Sequence, residues 1–191
     1  MRRVLTLRDG REAVLRDAEP ADAEGLVRLD QALAEDGRGM VLTVDQVRSP
    51  VEQRAEVERI RREATLGSAT RLAVAAIGDR IVGSATLRQL RPTLCRHVGV
   101  VSLGVHPRFQ RAGVGRALMR ALIAHARQAG LERLELYVRS DNRRARALYA
   151  SLGFAEEGVR RRFVRRADGS YADDLIMAAF LDSRGDAHAS R

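Results

Sequence analysis

One glutamine and two glycines, Gln110, Gly113 and Gly115, stand in the pattern Gln-x-x-Gly-x-Gly between an apolar run and a helical repeat. The run, residues 98–105, is of β type and ends before Pro107. After Gly113, the residues Val114, Ala117, Leu118, Ala121 and Leu122 recur along one helix face. The joint is therefore a strand-loop-helix turn. Backbone amides at a helix start lack intrahelical partners and carry the positive end of the helix dipole, and glycines remove side chains that would hold an anion off. Such a turn can grip a phosphate. Two other phosphate loops do not fit, because no Gly-Lys-Ser/Thr follows and Leu118 stands where a dinucleotide fingerprint has its third glycine. By themselves the glycines also fit a plain tight turn.

The elements around this turn follow from periodicity and turn residues. Residues 4–7 and 13–16, joined at Asp9-Gly10, read as an opening hairpin. Pro20 starts a helix carrying Leu26, Val27, Leu29 and Leu33, and Gly37 and Gly39 break it. A second helix is expected over 50–65, with Val51, Val57 and Ile60 spaced for burial. Residues 72–77 and 81–87 form a hairpin across Gly78-Asp79, and 88–96 is a polar connection to the run at 98–105. The helix after Gly113 is closed by Gly130. A strand over 134–138, a short helix over 142–152 closed by Gly153, and strands over 155–164 and 171–181 complete the order β-β-α-α-β-β-β-α-β-α-β-β. That order predicts an α/β domain with a mixed sheet. One domain, 1–182, accounts for nearly the whole chain, with a frayed polar tail at 183–191.

Composition narrows the function classes. The chain has 191 residues, 45% hydrophobic and 31% charged, an ordinary balance for one well-packed domain. No apolar run approaches the roughly 20 residues of a membrane span, and Met-Arg-Arg is not followed by the apolar core of a signal peptide. A cytoplasmic protein with no membrane partner is expected. The single Cys95 forms no internal disulfide and gives no support for a covalent intermediate. The net charge of +9 invites nucleic acid, but all 34 basic residues are arginine, a pattern of GC-rich coding rather than of a phosphate-binding face. The arginine-rich stretch 160–166 alternates as a strand would, so a solvated edge is preferred there to a cofactor phosphate or nucleic acid. Four histidines, His97, His106, His125 and His188, have no ligand spacing, and no metal site is expected.

A second segment matches in order: Asn142-x-x-Ala145-x-x-Leu148-Tyr149-x-x-x-Gly153-Phe154, directly after a strand. Together with Gln110-x-x-Gly113-x-Gly115, it makes the chain resemble the GCN5-related N-acetyltransferases over 11–181, most specifically over 98–177. The Asp168-Gly169 hairpin with Asp173 is similar to the final hairpin of one broad branch. The resemblance implies a mixed sheet flanked by helices with splayed central strands, acetyl-CoA as cosubstrate, and transfer to a primary amine without a covalent intermediate. It implies that Leu103, Gly104 and Val105 meet the pantetheine arm and thioester. Backbone amides of Arg111, Ala112, Gly113, Val114, Gly115 and Arg116 would meet the pyrophosphate. Asn142 would orient the arm, and Tyr149 would be the acid beside the sulfur. A homodimer is common among similar proteins.

The chemistry also asks for a base or water path, since an amine must attack unprotonated. The ribosomal-type members of the family carry a glutamate five residues before the motif asparagine, and here that position is Tyr137. Ser102 is the one polar side chain in 98–105. Water, or a carboxylate of the first third such as Glu35 or Asp36, stays open. The missing glutamate favours a small amine or amino acid as acceptor over a protein α-amine or lysine. An acyl-CoA-binding sensor without turnover is the rival of another class.

Overall fold

The computed structural model describes residues 2–37, 39 and 42–181, so the expected tail at 183–191 and His188 lie outside the described residues. Eight strands and four helices follow in the order β1 (Arg2–Thr6), β2 (Glu12–Asp17), α1 (Ala23–Asp36), α2 (Pro50–Thr65), β3 (Arg71–Ile77) and β4 (Arg80–Gln89). They continue with β5 (Val98–Val105), α3 (Val114–Gln128), β6 (Arg133–Arg139), α4 (Arg143–Ala150), β7 (Ala155–Arg165) and β8 (Tyr171–Phe180). This is the element order expected from the sequence.

All the strands lie in one sheet, in the order β1-β2-β3-β4-β5-β6-β8-β7. Only β5 and β6 run parallel; every other neighbouring pair is antiparallel. The last strand is inserted between β6 and β7, which leaves the arginine-rich β7 on the sheet edge. Among the described residues, no helix is long and apolar enough to cross a membrane.

Strand alternation divides the core into two layers. On one face, Val82, Ala85 and Leu87 of β4, Val101 of β5 and Leu134, Leu136 and Val138 of β6 pack with Val114, Leu118 and Leu122 of α3 and with Tyr149 of α4. On the other, Leu72, Val74 and Ile81 meet Leu26 and Leu29 of α1 and Val57 and Ile60 of α2.

The second helix corrects one expectation: Val51 is 78% exposed, and Gln53 is buried instead. Residues 53, 57 and 60 fall on one face at 100° per residue, whereas 51 lies about 200° from 53. The sequence pattern was right for Val57 and Ile60 and wrong for the residue that completes their stripe.

Candidate active site

The parallel pair β5–β6 stays in register only from Val98↔Arg133 to Val100↔Glu135. β4 continues along the other side of β5 as far as Gly83↔Val105. Among the described residues the β6 side of Leu103, Gly104 and Val105 therefore has no strand partner, and all three line a cleft of about 660 Å³. An extended ligand can lie against such an edge as an added strand does.

The strand then turns through the motif. Gln110 Nε2 donates to the Val105 carbonyl at 3.1 Å. His106 Nδ1 accepts from the Arg108 amide at 3.2 Å, and its ring meets Phe109 edge-on at 5.6 Å. Both side chains brace the turn. Burial, helped by the nearby Arg80 and Arg108, lowers the His106 pKa and keeps the ring neutral as an acceptor.

The two glycines do different jobs. Gly113 caps the start of α3 with φ 98° and offers no side chain to the leading amides; the space where its β-carbon would stand is open. A β-carbon on Gly115 would instead meet Leu103 at 3.3 Å, Val105 at 3.4 Å and Leu148 at 3.5 Å. Gly113 thus supplies the left-handed turn and leaves open space at the helix start, while Gly115 lets α3 and α4 close on β5.

Arg111, Gly113, Gly115 and Arg116 line the cleft. The side chain of Val114 is wholly buried in the core, and the Ala112 carbonyl accepts from the Arg8 amide at 3.3 Å. Arg8 and Arg144 also line the cleft. Nothing marks these two in a sequence with 34 arginines; only the fold brings them to the cleft.

Asn142 caps α4, its Oδ1 accepting from the Ala145 amide at 3.2 Å, while its Nδ2 lies toward Gly39 across the cleft. The short helix that follows carries Tyr149 into the cleft wall, 7% exposed and with its ring 6.1 Å from that of Phe154. Burial pushes its hydroxyl up to about 12, so it keeps its proton throughout the physiological range.

Elsewhere the cleft is walled by residues of α1, α2 and the sheet. Asp30, Asp36 and Glu56 are the carboxylates that line it among the described residues. Glu35 is exposed and outside the lining. Arg59 and Arg88 hold Glu56 down at about 2, and it is a poor base. Tyr137, at the place of the ribosomal-type glutamate, donates its hydroxyl to Glu135, which raises its own pKa. Asp30 and Gln53 had escaped the sequence reading, although a glutamine completing an apolar stripe is a visible signal.

The remaining candidates have structural duties. Asp173 Oδ1 accepts from the Arg162 amide at 2.6 Å. His125 Nε2 lies 3.1 Å from the Ala69 carbonyl, and His97 is exposed at the foot of β5. In the arginine stretch, Arg160 pairs with Asp174 and stacks 3.7 Å over the Phe163 ring, and Arg166 pairs with Asp141 at 2.5 Å. Among the described residues no group of three or more His, Cys, Asp or Glu is placed to hold a metal ion.

A parallel pair that splays beside the start of α3, in a mixed sheet flanked by helices, defines the fold class. Residues 39–154, more than half of the chain, match the model of the acetyltransferase (GNAT) family, and the chain belongs to that family. It is 44% identical over 77 residues to the ribosomal protein bS18-alanine N-acetyltransferase of Escherichia coli (strain K12), covering 40% of this chain and 51% of that protein. The chain thus spans about half the length of the curated relatives it matches. In fold it is similar to an acetyltransferase of the GNAT family from Streptococcus pneumoniae, with TM-score 0.81 at 24% identity over 88% of this chain and 99% of that one. It is also similar to yncA from Salmonella typhimurium with its cofactor acetyl-CoA, with TM-score 0.77 at 23% identity over 89% and 94% of the two chains.

Proposed function

We propose that this protein moves an acetyl group from acetyl-CoA directly to a primary amine. One observation carries the reading: a single cleft joins an unpaired strand edge at Leu103, Gly104 and Val105 to the open helix start at Gly113. The strand edge suits the amides and carbonyls of a pantetheine arm. The leading amides of α3, from the loop Arg111-Ala112-Gly113-Val114-Gly115-Arg116, suit a pyrophosphate, and Arg8 and Arg144 add positive charge beside it. Asn142, whose oxygen caps α4, lines the same cleft where the arm would pass.

Amine nitrogen attacks the thioester carbonyl carbon, the strand amides receive the charge on its oxygen, and the C–S bond breaks. Tyr149 stands on the cleft wall as a neutral hydroxyl. Its proton is held about 3 units more tightly than that of an ordinary thiol. It therefore acts by donating a hydrogen bond to the departing sulfur and by passing on the proton that the nitrogen sheds.

For the acceptor, a small amine or amino acid is preferred, because Tyr137 stands where the ribosomal-type members carry glutamate. A protein α-amine is the second reading, favoured by the bS18-alanine acetyltransferases among the relatives. Incubation with acetyl-CoA and a panel of amino acids, alkylamines and Ala-starting peptides, followed by free-thiol release, tests both. Release with small amines and not peptides supports the first. Acetyl-CoA binding without release for any amine would replace both with an acyl-CoA sensor.

A further inference from the structure

Gln53 occupies a place that an apolar residue would fill at no penalty. It stands at i, with Val57 at i+4 and Ile60 at i+7, on the face of α2 turned to the core, and is 5% exposed. Its Oε1 is buried without a hydrogen-bond partner, yet the residue lines the cleft. An unpaired buried acceptor is costly in the empty fold and is satisfied when a donor enters.

Asp30 is the matching feature on α1. Leu26, Asp30 and Leu33 recur at i, i+4 and i+7, and all three line the cleft. Leu33 touches Gly104, and Asp30 lies one turn away, about 4.5 Å along the axis. Its carboxylate is half-buried, and no described residue hydrogen-bonds or ion-pairs with it. The other two lining carboxylates are engaged, Glu56 by Arg59 and Arg88 and Asp36 by a partner of its own.

Two acceptors without donors, in one cleft with the thioester edge, suit a group that is all donors. We propose that Asp30 and Gln53 form the ammonium subsite for the acceptor and that Asp30 takes the proton which frees the amine for attack. This rests on the acetyltransferase reading above. An alkylammonium has three N–H donors and no acceptor. One N–H bonds Gln53 Oε1 and another bonds Asp30; the latter proton passes to the carboxylate, leaving a lone pair on nitrogen. The C–N bond forms, the C–S bond breaks with its electron pair on sulfur, and the second proton shed by nitrogen ends on the thiolate. Asp30 then returns its proton to water.

Burial raises the Asp30 pKa, opposed by Arg48, which moves its basicity toward that of a working base. Besides Arg48, charged or titratable groups that line the same cleft include Asp36 on α1, Glu56 on α2, Arg88 on β4 and Tyr137 and Arg139 on β6, with Arg8, Arg111, Arg116, Arg144 and Tyr149 completing the set.

The test compares n-propylamine with O-ethylhydroxylamine, which has nearly the same shape but is neutral at pH 7. Asp30→Asn should lower kcat/KM about 100-fold or more for n-propylamine and change it only a few-fold for the neutral acceptor, with acetyl-CoA affinity unchanged. Gln53→Leu should raise KM for n-propylamine while raising the unfolding temperature, which a structural glutamine would not do. Equal losses on both acceptors, or none, with Asp30→Asn would overturn the assignment. If wild type binds acetyl-CoA but acetylates neither, the transfer reading fails separately, and calorimetry with n-propylammonium decides the subsite. Binding to wild type and not to Asp30→Asn upholds it, and equal or absent binding in both overturns it.

Discussion

Leu33 of α1 closes directly on Gly104 of β5: a β-carbon at position 104 would stand 2.6 Å from Leu33 Cδ1. Helix α1 and the unpaired edge of β5 therefore meet at one contact. Gly104→Ala should drive Leu33 aside; the clash is with a flexible side-chain end, so the fold survives with a loss of about 1–2 kcal/mol. The amine KM should rise more than the acetyl-CoA KM. Adding Leu33→Ala should recover part of the stability, because the pair is coupled. Unfolding and steady-state kinetics of the double-mutant cycle check this, and strictly additive effects would remove the contact from the account.

Gly113 separates conformation from anion space. Gly113→Ala puts a β-carbon at φ 98° but into open space, so it should cost about 1–2 kcal/mol of left-handed strain and retain acetyl-CoA binding. Gly113→Glu adds length and negative charge at the helix start and should abolish binding. Calorimetric titration of the two variants distinguishes the effects. Normal binding by Gly113→Glu would sink the phosphate-loop reading.

Much of this architecture was legible in the sequence because its signals are local. Gly113, Gly130 and Gly153 all take positive φ where the pattern places turns or helix ends, and residues 98–105, read as an apolar run of β type, form a strand. What could not be read is set by contacts between distant segments. Arg8 reaches the loop before α3 because its amide bonds the Ala112 carbonyl. Asp30 gains its place from α1 lying over β5, where Leu33 meets Gly104. Gln53 and Val51 occupy opposite faces of α2, and a polar residue on the inner face runs against the binary pattern of an amphipathic helix. The motifs fall where turns and helix starts line the cleft; the wall that α1 and α2 add is made of side chains that carry no motif.

Tyr149→Phe tests the hydroxyl on the cleft wall. The ring packs beside Phe154 and stays buried in the variant, so stability should change by less than about 1 kcal/mol. Turnover should fall roughly tenfold or more, with acetyl-CoA affinity unchanged. Because burial places the Tyr149 pKa at about 12, wild-type turnover should show no alkaline fall attributable to this group below about pH 11. A rate equal to wild type in Tyr149→Phe would end its assignment.

Glu56 gives a pH signature that separates the wall of the site from its chemistry. Its hydrogen bond to Arg59, and then that to Arg88, hold its pKa at about 2, below the ordinary 4.5. The unfolded chain therefore takes up this proton first as the solution is acidified. The stabilisation is fully present above about pH 4.5 and is lost as pH falls through about 2. Glu56→Gln should thus be less stable than wild type near neutrality, by on the order of 1 kcal/mol once solvent screening is allowed for, and the gap should close toward pH 2. Urea midpoints measured from pH 7 to pH 2 check the sign. A gap that stays constant or widens on acidification would show that the Arg59–Glu56–Arg88 link does not carry the difference.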